Sequence, residues 1–384
     1  MHNEFHGRQL ERREVAIVQR RLTHYRVPLF EALRQDLKER GIRLRVLYGT
    51  ATSVEATKND SGHLDWAESM PTRYLLGGRI CWQNFGPLTR DSDLVIITQE
   101  NKLLSNHWRL VTPRQFRLAF WGHGANLQNR NPKSLRERFK RWTTNQVDWW
   151  FAYSDMSADL VAATGFQSSR ITVVNNAVDT TQMRRWAQEI DHEETRTLRH
   201  GLGIEESPIG VFVGSLYIDK RLDFLLASAE AVRREIPDFH LLIIGEGPER
   251  EKVRSWCQAH SWAHWVGGRF RREKMAYVSV AQVMLNPGSV GLGILDSFAC
   301  GVPLVTTDCG GHGPEIAYLC NGVNGVMTTN DVGAYSAAAV ALLRSEEERA
   351  RLRVGCRAGA ETYTLEHMVQ RFTEGIATCL QTSR

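Results

Sequence analysis

Short apolar runs bounded by turn residues alternate with amphipathic helical patterns along most of the chain. This alternation is typical of parallel β-sheets, because each parallel strand is joined to the next through a crossover that is usually a helix. The runs fall into two series. Strands of the first series are predicted at Val15–Gln19, Leu44–Tyr48, Leu94–Thr98, Leu118–Trp121, Trp149–Tyr153 and Ile171–Val174. Strands of the second series are predicted at Val211–Val213, Leu241–Ile244, Trp265–Val266, Val283–Leu285, Leu304–Thr306 and Gly325–Met327.

A charged stretch without strand patterns, residues 182–208, separates the two series, and 384 residues are enough for two domains. We therefore predict an α/β protein with two doubly wound, Rossmann-like domains that face a central cleft. Ligands of such sheets bind at the carboxyl ends of the strands. The predicted division is residues 1–184 for the first domain, 185–207 for the linker, 208–364 for the second domain and 365–384 for a C-terminal helix that packs back toward the first.

The charge of the chain is unevenly distributed. Residues 1–190 contain 28 Lys and Arg against 19 Asp and Glu, whereas the remaining half is mildly acidic. A basic half attracts anionic membrane surfaces, although a surplus of solvated arginines is an equally good interpretation. The basic residues are dispersed and no nucleic-acid motif accompanies them, so we do not expect a nucleic-acid partner.

The seven cysteines are scattered and form no C-x-x-C pair, which is typical of reduced thiols and speaks against a zinc site. The first residues are polar and show no apolar signal-peptide core. No apolar stretch is long enough to span a bilayer. A cytoplasmic location is therefore expected.

The densest group of candidate site residues is a glycine-rich turn that follows the strand Val283–Leu285 and leads into a helix near Gly291. Glycines at 288, 291 and 293 allow a ligand to approach the backbone, and free amides at a helix start bind phosphate. The carboxylate of Asp296, in the first turns of this helix, is placed to accept hydrogen bonds from a ribose diol. Tight packing of strand on helix is the alternative explanation for the glycines.

Three more candidates follow strands. Lys220 and Arg221 come after the strand that ends at Gly214 and Ser215, and two cations there would neutralise a diphosphate leaving group. Glu246 stands at the end of the next strand, in IIGEGP. His123 lies on the glycine-flanked loop WGHG, where ligand contact and a purely local loop role remain open.

In this order and spacing, the segments resemble the GT-B glycosyltransferases, specifically glycosyltransferase family 4. The resemblance covers nearly the whole chain and is strongest from about residue 205 to 330. The matching segments are VGSL-x-x-x-K, IIGEGP, NPG followed by GLGILDSFACGVPLVTTDCGG-x-x-PE, and NGVNG, with HYRVPLFEAL, WGHG and NNAVD in the first half.

The resemblance implies a metal-independent transferase that retains anomeric configuration and uses a nucleotide diphosphate sugar (NDP-sugar) as co-substrate, without a cofactor. The residues implied in catalysis are Lys220, which holds the donor diphosphate, Asp296, which binds the ribose, and His123, which lies against the donor sugar. The residues implied in donor binding are Gly214, Ser215, Arg221, Glu246, Gly268, Arg269, Phe270, Gly288, Ser289, Gly291, Leu292 and Gly293, with 268–270 bordering the nucleobase.

Three positions depart from the family pattern. Gly288 stands where an acidic residue usually contacts hydroxyls of the donor sugar. Asp296 replaces the usual glutamate and is one methylene shorter. Ser215 replaces an arginine that commonly assists Lys220. The identity of the sugar is therefore the property that the resemblance specifies least.

The acceptor is expected on the first domain, where His24, Tyr25 and Arg26 follow the first strand. The positive charge of this half suits a glycan or lipid-linked saccharide at the inner face of the plasma membrane, in cell-surface polysaccharide synthesis. The Trp-bearing stretch 51–82 is predicted to face the acceptor.

Two rival functions share the same architecture: a sugar-nucleotide epimerase, and a non-catalytic binding or scaffold subunit. The missing carboxylate at 288 weakens the first and favours the second. A metal-binding interpretation of Asp91-Ser92-Asp93 is rejected, because the motif precedes its strand instead of following it.

Overall fold

The computed structural model describes residues 13–56, 60–124 and 135–383. The strands in these ranges are β1 Arg13–Gln19, β2 Ile42–Tyr48, β3 Glu68–Ser69, β4 Thr72–Leu75, β5 Ile80–Gln83, β6 Leu94–Thr98, β7 Arg117–Gly122, β8 Trp149–Ala152, β9 Ile171–Val173, β10 Ile209–Val213, β11 His240–Ile244, β12 Ala263–Trp265, β13 Val283–Leu285, β14 Leu304–Thr307 and β15 Gly325–Thr328.

The helices in the same ranges are α1 Val27–Glu39, α2 Ser53–Ala56, α3 Leu104–Val111, α4 Leu135–Thr144, α5 Asp155–Ala162, α6 Thr180–Gln188, α7 His192–Gly201, α8 Leu222–Glu235, α9 Arg250–Ala259, α10 Arg271–Ser279, α11 Gly293–Cys300, α12 Val332–Arg344, α13 Glu346–Thr362 and α14 Leu365–Gln381.

Two parallel sheets form the framework. The first has the strand order β3-β2-β1-β6-β7-β8-β9 and the second β12-β11-β10-β13-β14-β15. In each sheet the order reverses once, between β1 and β6 and between β10 and β13, and such a reversal opens a crevice at the carboxyl ends of the strands. Every residue of β6 and β10 is buried, as expected for strands covered by helices on both faces.

Each predicted strand is present, with its ends shifted by at most two residues. The stretch 51–82 contributes β3 and the antiparallel hairpin β4–β5, which the sequence pattern did not predict. Residues 91–93 form a turn before β6, where the Asp93 carboxylate accepts a hydrogen bond from the Glu14 amide at 2.7 Å. The segment is therefore a turn that leads into a strand.

The chain passes between the two domains at two places. Between β9 and β10 it forms α6 and α7, and α6 packs against α10 and α11 of the second domain. At its C-terminal end, α14 returns to the first domain and packs on α1, β8 and β9. There Phe372 stacks on Phe151 at 4.5 Å and meets the edge of Trp121 at 5.1 Å. The core of the first domain is thus completed by the last helix of the chain.

Within the described residues, no helix is both long enough and apolar enough to traverse a bilayer.

The packing of α14 predicts that alanine destabilises the fold at Gly375, whereas it stabilises the fold at Gly201. A Cβ at Gly375 would lie 2.5 Å from Thr172 Oγ1 and 2.8 Å from Phe151 Cε1, whereas a Cβ at Gly201 of α7 meets nothing within 4 Å. Gly375→Ala is expected to destabilise the fold by about 1–3 kcal/mol through overpacking. Gly201→Ala, the matched control, should stabilise it by about 0.5–1 kcal/mol. Urea unfolding measures both, and a stabilising Gly375→Ala would contradict the described docking of α14.

A pH dependence is expected from the pair His240 and His264, whose Nδ1 and Nε2 atoms lie 3.0 Å apart. Burial, and secondarily the neighbouring imidazole, lower the pKa of His240 from 6.5 to about 4. Between pH 6.5 and 4, His240 is therefore protonated in the unfolded chain but neutral in the folded one. This difference lowers the free energy of unfolding as pH falls through that range. His240→Gln should flatten the loss of unfolding free energy across that window. An unchanged pH profile in the variant would refute the assignment.

Candidate functional site

A pocket of about 390 Å³ opens at the crevice between β10 and β13, on the face turned toward the first domain. Most of the predicted site residues line it. From the second domain these are Gly214, Ser215, Lys220, Glu246, Gly268, Arg269, Phe270, Gly291, Leu292, Gly293 and Asp296, and from the first domain His24 and Tyr25.

Lys220 is the central cation of the pocket. It ends a short 3-10 turn, Ile218–Lys220, between β10 and α8, and its ammonium group donates a hydrogen bond to the carbonyl of Ser289. Burial lowers the pKa of this lysine from its ordinary value. A half-buried ammonium whose partner is a neutral carbonyl is stabilised further when an anion binds, so Lys220 is suited to bind a diphosphate.

The glycine-rich loop supplies amide donors beside Lys220. In the described part of the chain, no acceptor is assigned to the backbone N–H groups of Gly291, Leu292 and Gly293. The N–H group of Val290 is held by Nδ1 of His312 at 3.2 Å, which fixes the loop before it enters α11. Adjacent amides at a helix start, together with the positive end of the helix dipole, form an anion site. The helix begins at Gly293, two residues later than predicted.

Asp296 is buried on the first turn of α11 and is already paired. Its Oδ1 atom lies 2.6 Å from Nζ of Lys274 on α10. Lys274 also lines the pocket, so this wall carries an ion pair where the sequence indicated only the carboxylate of Asp296. A hydroxyl ligand reaching Asp296 therefore meets a carboxylate and an ammonium side by side.

The space at Gly288 is filled by backbone. A Cβ at this position would lie 2.5 Å from the carbonyl oxygen of Asp219 and 2.5 Å from the carbonyl carbon of Lys220. The Ser289 amide donates to the same Asp219 oxygen at 2.9 Å. The glycine-rich loop is thus docked directly on the turn that carries Lys220, and no acidic side chain fits at 288. The departure from the family pattern has a steric cause.

Close approach of backbone also explains the glycine that follows β11. A Cβ at Gly245, whose φ is 156°, would lie 1.9 Å from the carbonyl oxygen of Gly214. The Gly214 amide donates to the Ile244 carbonyl at 3.0 Å, and the residues that follow, Ser215 and Glu246, both line the pocket.

Five predicted residues do not line the pocket. Arg221 turns away, because its guanidinium binds the carbonyl of Pro287 at 3.3 Å and lies over Phe224 at 4.3 Å. Gly288 and Ser289 form the support beneath the loop. His123 is exposed at the end of β7, with its ring 4.6 Å from that of Tyr153.

Arg26, the fifth of these residues, lies in the core of the first domain. Its side chain is 6% exposed, and its guanidinium is 4.4 Å from the centre of the Trp121 ring. This placement differs from the predicted acceptor-facing position. The helical period explains the difference, because His24 and Tyr25 face the cleft while the next residue turns inward at the start of α1.

Two contacts join the domains around the pocket. The ring of His24 meets the edge of Phe270 at 5.4 Å. Deeper in the cleft, Asn176 donates to Oε1 of Glu315 at 2.5 Å. Burial raises the pKa of Glu315, and the hydrogen bond from Asn176 opposes that shift. Both domains therefore build the site.

Sequence reasoning missed Lys274, Glu315 and Asp60, which lies at the pocket beside His24. Lys274 stands in the basic run RFRREK, where no pattern separates it from its neighbours. Glu315 belongs to the segment GG-x-x-PE, one of those on which the resemblance rests, and this segment is the signal that could have identified it. Its contact with Asn176 has no signal in the sequence.

Across residues 13–56, 60–124 and 135–383, no cluster of three or more His, Cys, Asp or Glu side chains is arranged to hold a metal ion.

Comparison with known proteins agrees with this geometry. Residues 207–345 match the family of glycosyl transferases group 1. Over these residues the second domain is similar to the group 1 glycosyltransferases. The matched region contains the glycine-rich loop, Lys220 and Asp296, and it therefore provides the second-domain wall of the pocket.

Curated relatives share part of their length with the chain. A GDP-mannose-dependent α-(1-6)-phosphatidylinositol monomannoside mannosyltransferase of Mycolicibacterium smegmatis is 31% identical over 187 residues, 45% of this chain and 48% of the relative. An α-maltose-1-phosphate synthase of the same organism is 28% identical over 200 residues, 47% of this chain and 49% of the relative. The chain thus spans about half the length of the curated relatives it matches.

Solved structures establish the fold of the whole chain as GT-B. Anabaena HepE in complex with UDP superposes with a TM-score of 0.70 at 14% identity, over 95% of this chain and 100% of HepE. Sucrose-phosphate synthase from Thermosynechococcus elongatus gives a TM-score of 0.71 at 14% identity, over 96% of this chain and 99% of the synthase. The predicted two-domain GT-B architecture is confirmed.

The docking of the glycine-rich loop on the turn that carries Lys220 predicts that one added methyl group lowers the stability of the fold. Gly288→Ala forces the backbone contacts apart and is expected to destabilise the fold by about 1–3 kcal/mol. Gly311→Ala adds its Cβ where no atom lies within 4 Å, and it serves as the control. Chemical denaturation compares the two, and equal stability of both variants would show that the loop does not press on residues 219–220.

Proposed function

We propose that this protein is a glycosyltransferase that moves a hexosyl-type sugar from an NDP-sugar to a glycan or lipid-linked acceptor, with retention of anomeric configuration and without a metal ion. One observation carries the proposal: the half-buried ammonium of Lys220 stands beside the amides of Gly291, Leu292 and Gly293 at a crevice of the second domain. These groups are complementary to a diphosphate.

The names of related proteins support a nucleotide-sugar donor. The curated mannosyltransferase relative is GDP-mannose-dependent, and solved structures of HepE contain UDP or UDP-glucose. Because these donors carry different bases, the nucleotide base of this protein's donor is left to experiment. Phe270 and Arg269 at the outer end of the pocket are the groups placed to contact it.

In the proposed reaction, cleavage of the anomeric bond leaves negative charge on the β-phosphate and positive character on the sugar. Lys220 and the loop amides stabilise that charge as it develops. Because the proposed reaction retains configuration and no side chain is assigned as a nucleophile, we propose front-face attack, in which the departing phosphate oxygen takes the proton of the acceptor hydroxyl. His123 does not line the pocket, but it follows β7, whose carboxyl end faces the pocket, and we propose that it orients the sugar from there.

The proposed acceptor side is the edge of the first domain that faces the pocket. His24 and Tyr25 reach the pocket from this domain, and Asp60 is paired there with Arg21 at 2.6 Å. The basic character of this half favours an anionic, membrane-held acceptor at the inner face of the plasma membrane. We therefore propose a cytoplasmic, membrane-associated enzyme of cell-surface polysaccharide synthesis, assigned here to family 4.

The decisive experiment incubates the protein with UDP-, GDP- and dTDP-sugars and records thermal stabilisation together with release of free nucleotide. A ligand that binds the folded state raises the unfolding temperature by linkage, even where turnover is slow. Stabilisation by one nucleotide class with slow hydrolysis of its sugar is the expected result. Conversion to a different sugar nucleotide would indicate the epimerase instead, and the absence of any binding would indicate a scaffold subunit.

Loss of the central cation should mainly affect the chemical step. Lys220→Ala is expected to lower the rate of donor turnover by on the order of 10²-fold or more, because a partner of the transition-state charge is removed. Lys252→Ala is the control and should retain the wild-type rate, because it removes an exposed lysine of α9 that pairs with Glu249 and Asp223. The measurement is nucleotide release at saturating donor, and near-normal turnover of Lys220→Ala would refute the assigned role.

A further inference from the structure

Helix α3 exposes a row of large apolar side chains, although it also buries Leu110 against the core. Leu104, Trp108 and Val111 follow the i, i+4, i+7 spacing of one helical face, and they are 47%, 58% and 57% exposed. Ser105 and Asn106 lie on the buried face, each 4% exposed. A surface helix normally places its apolar stripe against the core, so this arrangement indicates that the outer face of α3 contacts something other than water.

The neighbouring helix α4 also carries exposed aromatic side chains. Phe139 and Trp142 are 51% and 45% exposed, whereas Thr143 and Thr144 are buried. The ring of Phe139 lies 5.6 Å from that of His107, and this contact joins α4 to α3. Leu104, Trp108, Val111, Phe139 and Trp142 are together called the α3–α4 face.

The charges beside the α3–α4 face identify the occupant. Arg138 and Arg141 are exposed on α4, next to the two aromatic residues of that helix. Tryptophan and phenylalanine side by side with arginine are the composition of helices that lie in a membrane interface, where the rings enter the headgroup region and the cations meet anionic lipids. A second copy of the chain, docked by two-fold symmetry, would bring the same arginines together and be repelled.

We propose that the α3–α4 face docks on an anionic lipid bilayer. The helices follow β6 and β7, whose carboxyl ends form the edge of the first sheet that faces the pocket. Leu104, at the start of α3, therefore lies on the cleft side of the domain. Docking through this face brings the bilayer to the acceptor side of the cleft. The inference rests on the proposed membrane setting of the acceptor, but its test requires no acceptor and no turnover.

The test is co-sedimentation with phosphatidylcholine vesicles prepared with and without phosphatidylglycerol. The wild-type chain should bind the anionic vesicles and bind the neutral ones weakly. The double variant Trp108→Ser, Phe139→Ser should partition roughly tenfold less, since it loses two aromatic anchors. Val354→Ser is the matched control, because Val354 is 68% exposed on α13 of the other domain. Its binding should equal that of the wild type.

A charge variant separates the electrostatic contribution from the apolar one. Arg138→Gln with Arg141→Gln is expected to remove most of the preference for phosphatidylglycerol while residual apolar binding remains. All the substituted side chains are exposed, so the melting temperatures should stay near that of the wild type, which the same preparations verify.

Two outcomes would overturn the proposal. One is vesicle binding by the double variant equal to that of the wild type. The other is a wild-type dimer in sedimentation velocity that Trp108→Ser dissociates, with no vesicle binding, which would make the face an interface between copies. Nucleotide release from a soluble donor is recorded in parallel. Its absence in the wild type would count against the proposed function while leaving the vesicle result intact.

Discussion

The docking of the glycine-rich loop on the turn before α8 organises the whole site. The Asp219 carbonyl accepts the Ser289 amide, Lys220 binds the Ser289 carbonyl, and the missing side chain at Gly288 allows the backbones to touch. Because β10 and β13 are neighbours at the point where the strand order reverses, their two loops must meet above the sheet. Their contact fixes a half-buried cation beside the amides of the glycine-rich loop, and both groups bind anions.

That arrangement depends in turn on how the domains are held together. The last helix, α14, completes the core of the first domain, and α6 packs on the second. The cleft therefore lies between two bodies connected by packed helices, with Asn176 bonded to Glu315 at its base and His24 against Phe270 at its rim. Contacts at both depths position the first-domain residues over the pocket.

The outer surface of the first domain exposes large apolar side chains on two neighbouring helices. The strands of this domain are buried in the usual way, but α3 and α4 also expose large apolar side chains next to buried polar ones. Leu110 of α3 packs in the core, whereas Trp108 of α3 and Trp142 of α4 do not. The lipid surface that we propose would account for the exposed aromatic residues and for the arginines together.

The sequence alone determined the two series of strands, the doubly wound architecture and the loops that carry Lys220, Gly291 and Asp296, because strand periodicity and glycine at strand ends are local properties. Tertiary structure decided the rest. The pairing of Lys274 with Asp296 joins residues on α10 and α11, and the burial of Arg26 against Trp121 joins α1 to β7. Such contacts depend on how helices pack across the sheet, which no local pattern records. The same holds for Gly288, where the sequence revealed a missing acid and only the opposing backbone of residues 219–220 explained it.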